Sequence, residues 1–273
     1  MTLHQLPVAN KDKVIIVGAG IGGLASSLRL SHLGYDVEVI ERANSAGGKL
    51  RTITGSTGEI DIGPTVLTLL PIFQKLFKSV GEDIFEHIDL VRQKIIARHW
   101  WPDGTSLDLY DDFETSRDAI MKFSGSGSAI EFEKYFHDTR DLFSCFDLPV
   151  MQNPRPSMLD MNLAVLSNPK ILSKLHPLRT LSSLLNYKFQ DKRLRQLFGR
   201  YATYVGGSPL ESPALLSLVW QAEAQGVWSI KGGMRKLARV IEQLAKARGA
   251  SFNYGTDIKE FNTKGDRVVS ITD

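Results

Sequence analysis

At 273 residues, 42% hydrophobic and 23% charged, the chain has the composition of a globular protein with ample material for a core. A net charge of +3, from 33 basic and 30 acidic residues, is too mild to point to nucleic acid, and no uninterrupted apolar run is long enough to span a bilayer. The lone Cys145 excludes an internal disulfide, and its neighbours Leu142, Phe143, Phe146 and Leu148 make it a core thiol rather than a nucleophile.

The polar residues 1–13 carry no secretory signal, so an intracellular, cytoplasmic protein is expected. Residues 14–17 (VIIV) predict a strand, and Gly18-Ala19-Gly20-Ile21-Gly22-Gly23 a turn that opens a helix over 24–33, stopped at Gly34. A second strand over 35–40 ends at Glu41. In such a strand–glycine turn–helix unit, Gly18 permits the tight turn, Gly20 exposes backbone N–H groups to a pyrophosphate, and Gly23 allows helix and strand to pack closely. The unpaired donors and dipole of the helix N-terminus favour the phosphates. Glu41, about 18 residues past Gly23, stands where a carboxylate accepts ribose hydroxyls. The unit predicts a bound dinucleotide.

Glu41-Arg42 leads to a second backbone-exposing loop, Gly47-Gly48-Lys49-Leu50-Arg51, and soon afterwards to Asp61-Ile62-Gly63-Pro64. A second loop with basic residues suits a ligand that continues past its pyrophosphate, which favours FAD over NAD. This order resembles the FAD-binding flavoprotein superfamily that includes amine oxidases and carotenoid desaturases. The fold expected is α/β: a Rossmann-like FAD-binding domain with a largely helical insertion.

Three regions follow from the pattern: the first part of the nucleotide-binding unit over 10–70, a mostly helical insertion over 71–225, and a strand-rich return over 226–273. Inside the insertion, Pro102-Asp103-Gly104 predicts a hairpin turn between strands 95–101 and 105–110. Ser124 to Ser128 reads as a short linker before a helix over 129–146. On that helix His137 and Arg140 lie three apart and share a face, which for such a pair is ordinarily a solvated one. Trp100 and Trp101 point to opposite faces of their strand, so only one can face a substrate channel. Tyr201, Tyr204 and Gly206-Gly207 suit either a tunnel wall or core packing.

Residues 161–190 contain no acid, while leucines at spacings of three and four alternate with Lys170, Lys174, Arg179 and Lys188. Such a stretch suits either an anionic membrane surface or a helical lid packed on its own domain. The third region predicts a strand at 226–230, a Lys231-Gly232-Gly233 turn, a helix over 234–248, strands at 251–254 and 257–261, and a Lys264-Gly265-Asp266 turn into 267–271.

The blocks DIGPTVLT (61–68), ARHWWPDG (97–104), LFGRYATYVGGSP (197–209), WQAE (220–223) and GVWSIKGGM (226–234) together resemble bacterial carotenoid desaturases of the phytoene-dehydrogenase family. Among these the similarity is greatest to the 1-hydroxycarotenoid 3,4-desaturases, or methoxyneurosporene dehydrogenases. The resemblance implies an FAD-dependent oxidoreductase of carotenoid biosynthesis, peripheral to the inner membrane, that removes two hydrogens across C3–C4 of a 1-hydroxylated acyclic carotenoid. It implies cofactor contacts from Gly18, Gly20, Gly23, Glu41, Arg42, Gly47, Gly48, Lys49 and Arg51, and from the backbone of Ile258 toward adenine. It matches Arg140 to a catalytic arginine, with His137 where relatives carry an acid. No metal-spaced His/Cys set or catalytic triad is present, in keeping with flavin chemistry. Family members are about twice as long and close with a Gly-Asp-rich motif, so the chain reads as an N-terminal portion that binds FAD poorly alone. The alternatives are a phytoene desaturase, another amine-oxidase-like flavoenzyme, or a non-catalytic carotenoid- or lipid-binding fragment.

Overall fold

A computed structural model describes residues 13–56, 58–265 and 267–272. The first residues of the nucleotide-binding region expected from 10, and Asp266 of the last turn, lie outside the described residues. From Lys13 the chain runs through β1 (Lys13–Val17), α1 (Ile21–His32), β2 (Asp36–Glu41), β3 (Thr52–Gly55), β4 (Gly58–Asp61), α2 (Leu70–Lys78), α3 (Ile84–His87) and β5 (Leu90–Arg92). There follow β6 (Ile95–Trp100), β7 (Ser106–Tyr110), α4 (Phe113–Ser124), α5 (Ser126–Phe146), α6 (Met158–Ser167), α7 (Leu172–Leu175), α8 (Leu181–Lys188), α9 (Lys192–Gly199) and α10 (Gln221–Ala224). The last elements are β8 (Trp228–Ile230), α11 (Arg235–Ala247), β9 (Ser251–Tyr254), β10 (Glu260–Lys264) and β11 (Arg267–Thr272).

The chain forms two compact units, one running to Arg92 and resuming at Trp228, the other Gln93–Val227. The insertion thus begins at 93 rather than 71. Phe77, Val80, Ile84 and Ile88, on and beside α2 and α3, are buried in the same core as Leu24, Val37 and Val39, which ties those helices to the first unit.

In the first unit β1, β2 and β9 form a parallel sheet in that order. Val37 and Val39 of β2 are buried toward α1 and α11, whose Leu24, Leu28, Leu237 and Ile241 complete the core. Each such side chain contributes about 1.5–3 kcal/mol on burial, which selects the inward face of α11 over its arginine- and lysine-rich one. β1 lies at one edge of the sheet, with Ile15 and Val17 exposed on the face away from the helices. Those two residues and Phe261, Val268 and Ile271 of the β10–β11 hairpin line a cavity of about 350 Å³.

In the second unit the expected hairpin is present as β6 and β7, paired Trp100 to Ser106. Asp103 closes its turn by accepting hydrogen bonds from the Thr105 N–H and hydroxyl at 3.0 and 2.6 Å. The core is aromatic: Phe132 and Tyr135 of α5 pack with Phe189, Phe198 and Trp220, ring centroids 4.8–6.2 Å apart. The expected Ser-Gly linker is mostly helix. Only Gly125, at φ 90°, breaks the chain between α4 and α5, and Ser124 instead donates to Asp191 at 2.6 Å. Small polar residues signalled a loop, but a single left-handed residue suffices to turn one helix into the next.

Candidate functional site

The turn after β1 is held by backbone contacts, and at Gly23 they leave no room for a side chain. Gly18 N–H donates to the Ile40 carbonyl at 2.7 Å, holding the end of β1 beside β2. A Cβ on Gly23 would stand 1.9 Å from the Gly18 carbonyl oxygen, so the first turn of α1 packs directly on the loop. The second glycine loop docks on the first: Gly47 N–H donates to the Ala19 carbonyl at 2.9 Å. A Cβ on Gly48 (φ 59°) would lie 2.9 Å from the Gly20 Cα. The two loops, 24 residues apart in expectation only as successive ligand contacts, form one backbone-walled cradle at the N-terminus of α1.

Glu41 ends β2 beneath this cradle, buried, with Oε2 accepting from Ala19 N–H at 2.6 Å and Oε1 from Ala43 N–H at 2.8 Å. Each carboxylate oxygen keeps a further lone pair, so the group both braces the loop and remains an acceptor. Beside it lies a cavity of about 590 Å³, lined among others by Glu41, Arg42, Gly48, Lys49, Arg51 and Arg235. Arg235 carries no sequence motif of its own. It reaches the cavity from the start of α11, where it donates to Thr52 Oγ1 at 3.0 Å and Ser45 Oγ at 2.9 Å. Asp61 of the Asp-Ile-Gly-Pro segment holds the same helix start by accepting from Met234 N–H at 2.9 Å. One acidic acceptor, several cations and a glycine-walled edge fit a ligand with a ribose and a diphosphate.

Ile258 is placed differently from expectation. It is half-buried in irregular chain before β10 rather than in a strand. The backbone just before it is tied to the ribose-side loop, with Gly255 N–H on the Ala43 carbonyl and Thr256 N–H on the Glu41 carbonyl, both at 3.2 Å. Those bonds take the chain out of strand pairing and past Glu41.

In the second unit His137 and Arg140 share one face of α5. The His137 ring lies 5.6 Å from those of Phe113 and Phe136, and the Arg140 guanidinium 5.7 Å from Phe136. Trp100 is exposed, while Trp101 packs on Phe123 at 5.0 Å and donates to Gln196 at 3.0 Å. Tyr201 is buried and Tyr204 half exposed. Cys145 donates weakly to the Ala164 carbonyl at 3.6 Å, and burial pushes its thiol pKa up. Neither feature makes it a nucleophile.

The parallel sheet, its glycine cradle and the acid at the end of β2 define a dinucleotide-binding oxidoreductase fold. The chain belongs to the flavin containing amine oxidoreductase family, whose profile matches residues 21–273. The match indicates FAD as the cofactor and agrees with the α/β flavoprotein fold expected. A hydroxyneurosporene desaturase of Cereibacter sphaeroides is 42% identical over 259 residues, covering 95% of this chain and 52% of that protein. One of Rhodobacter capsulatus is 42% identical over 262 residues, covering 96% and 53%. The chain therefore spans about half the length of these relatives. An oxidoreductase from Methanosarcina mazei shares the fold at TM-score 0.65 and 18% identity, covering 95% of this chain and 55% of that one.

Proposed function

We propose that the protein is an FAD-dependent desaturase of hydroxylated acyclic carotenoids, acting at C3–C4 of a 1-hydroxylated substrate. The observation that carries this reading is the 42% identity to hydroxyneurosporene desaturases across almost the whole chain. Gly18, Gly20, Gly23, Gly47 and Gly48 would approach the diphosphate through their backbone, with Glu41 accepting from ribose. Arg42, Lys49, Arg51 and Arg235 offer positive charge along the cavity, and the chain at Ile258 stands on the adenine side. Bound there, the flavin supplies a two-electron acceptor for hydride. The protein's part is then to align an apolar chain and exclude water. Arg140 and His137, presented together beside Phe136, are the groups proposed to handle the departing proton.

The test is to supply 1-hydroxyneurosporene to the flavin-loaded protein and record extracted absorption spectra. A bathochromic shift from one added conjugated double bond supports the reading. Binding without a shift would instead support a non-catalytic carotenoid-binding protein.

We further propose that α6 and α7 rest on a membrane surface. Among the described residues no helix is long and apolar enough to cross a membrane. Leu166 and Leu178 are nonetheless 74% and 99% exposed, and Leu159, Leu163 and Leu172 are exposed beside them. Ile171, Leu181, Leu184 and Leu185 are buried, so only part of the leucine-rich stretch faces outward. Its charge is partly neutralised: Lys174 pairs with Asp138 and Asp141, and Lys188 with Asp138, at 2.6–3.1 Å. Apolar insertion, more than attraction to anionic lipid, would drive docking.

A further inference from the structure

Arginines recur along α11 and just past its end, and all but one meet a carboxylate. Arg239 pairs with Glu59 at 3.2 Å and Arg248 with Glu82 at 2.5 Å. Arg235, in the first turn, has no carboxylate partner among the described residues. Its acceptors are two neutral hydroxyls, Thr52 Oγ1 at 3.0 Å and Ser45 Oγ at 2.9 Å. Bonds to charged acceptors are the stronger kind, and two hydroxyls leave N–H groups of the guanidinium for a further acceptor.

Ser45 and Thr52 flank the loop from Gly47 to Arg51, so this one side chain joins both ends of the loop. Further contacts fix where the guanidinium stands. Asp61 accepts from Met234 N–H at 2.9 Å. Gly233, at φ 87°, turns so close to Asp61 that an added Cβ would stand 3.1 Å from its Oδ2. A Cβ on Gly47 would lie 3.8 Å from the Ala238 Cβ, and Ala238, three residues past Arg235, shares its face of α11. Helix and loop therefore meet at two points, with the arginine at one of them.

Arg235 lines the cavity of about 590 Å³ beside Glu41. Glu41 gives it no ion pair, since its oxygens accept from the Ala19 and Ala43 N–H groups. The other cations of the cavity, Arg42, Lys49 and Arg51, are exposed, whereas Arg235 is half-buried. Exposed charges are screened by water and salt, and long free side chains must be ordered when a ligand arrives. Arg235 is ordered beforehand.

We propose that Arg235 is the residue that pairs with the diphosphate of the cofactor and supplies most of the cationic contribution to its binding. The charged oxygens of a diphosphate suit the N–H groups that Ser45 and Thr52 leave over. This inference rests on the reading that the cavity takes a flavin dinucleotide.

The test measures Kd of the flavin-free protein for FAD by fluorescence titration, and for ADP and adenosine by displacement of FAD. The unmodified protein should bind ADP at least about tenfold tighter than adenosine, and equal affinities overturn the proposal without any variant. Arg235→Met should weaken FAD and ADP at least about tenfold each, the loss of one charge-assisted contact. Replacing Arg42, Lys49 or Arg51 by Met should cost less than about threefold each, as for exposed pairs. Ser45→Ala with Thr52→Val removes the hydroxyls yet keeps the guanidinium, and should cost less than about threefold through looser ordering alone. Should that double variant lose as much as Arg235→Met, the arginine only holds the loop and the proposal is overturned. It is overturned too if Arg235→Met weakens FAD but not ADP, or if an exposed cation matters more. Should the unmodified protein bind neither FAD nor ADP, the cofactor reading itself falls and this inference with it.

Discussion

Glu41 braces the loop that it is also proposed to help the cofactor occupy. Replacing it with Ala orphans the N–H groups of Ala19 and Ala43 and removes a charge-assisted acceptor, so flavin binding should weaken by about 1.5–3 kcal/mol, read by fluorescence titration. Gly23→Ala forces a methyl into the Gly18 carbonyl and should destabilise the fold by about 1–3 kcal/mol in urea unfolding, even without ligand. His99 supplies a pH test. Its folded pKa is near 4 against an ordinary 6.5, so the unfolded chain takes up the proton first. Stability should decline as pH falls from about 6.5 to 4 and level off below, and His99→Phe should remove that slope. At this scale the turn glycines Gly18 and Gly23 were legible because each answers a local backbone demand, a positive φ at Gly18 and close packing on the Gly18 carbonyl at Gly23. Arg235 was not, because its partners Thr52 and Ser45 lie 183 and 190 residues away in the chain.

Local chemistry also decides which elements could be read in advance. The β6–β7 hairpin was legible because Asp103 and Gly104 specify its turn without help from elsewhere. The α4–α5 junction was not, since Ser124 finds its partner in Asp191, 67 residues on. Asp191 itself caps α9, accepting from Arg193 N–H at 2.8 Å and from the Arg193 guanidinium at 2.7 Å. These donors and Ser124 hold its carboxyl far below the usual carboxylate range. Asp191→Ala should cost about 1–2 kcal/mol from the lost cap, measured by urea midpoint. Ile258 was misassigned to a strand because its apolar neighbourhood resembles one, while hydrogen bonds to Ala43 and Glu41 pull the preceding backbone away.

For the molecule as a whole, periodicity and glycine spacing identified the α/β class, but the boundary at 92/93 depended on where Phe77, Val80, Ile84 and Ile88 are buried. No local pattern reports that. The membrane proposal is likewise tested at this scale, by flotation with phosphatidylglycerol-containing vesicles. Leu163→Asp with Leu166→Asp should reduce vesicle binding at least tenfold. Raising salt to about 1 M, where the Debye length falls to about 3 Å, should leave most of it, because Lys174 and Lys188 are already ion-paired. Loss of binding in salt with the leucines intact would reverse that order of importance.

The seam between Ala19-Gly20 and Gly47-Gly48 bears on how the holoprotein assembles. Because main-chain contacts close this joint, little ordering entropy would be lost there on loading. Reconstitution with FAD should therefore follow a single second-order phase whose rate rises linearly with flavin concentration. A side chain introduced at Gly48 would act by prising this joint apart, and would slow loading even if it never touched the coenzyme.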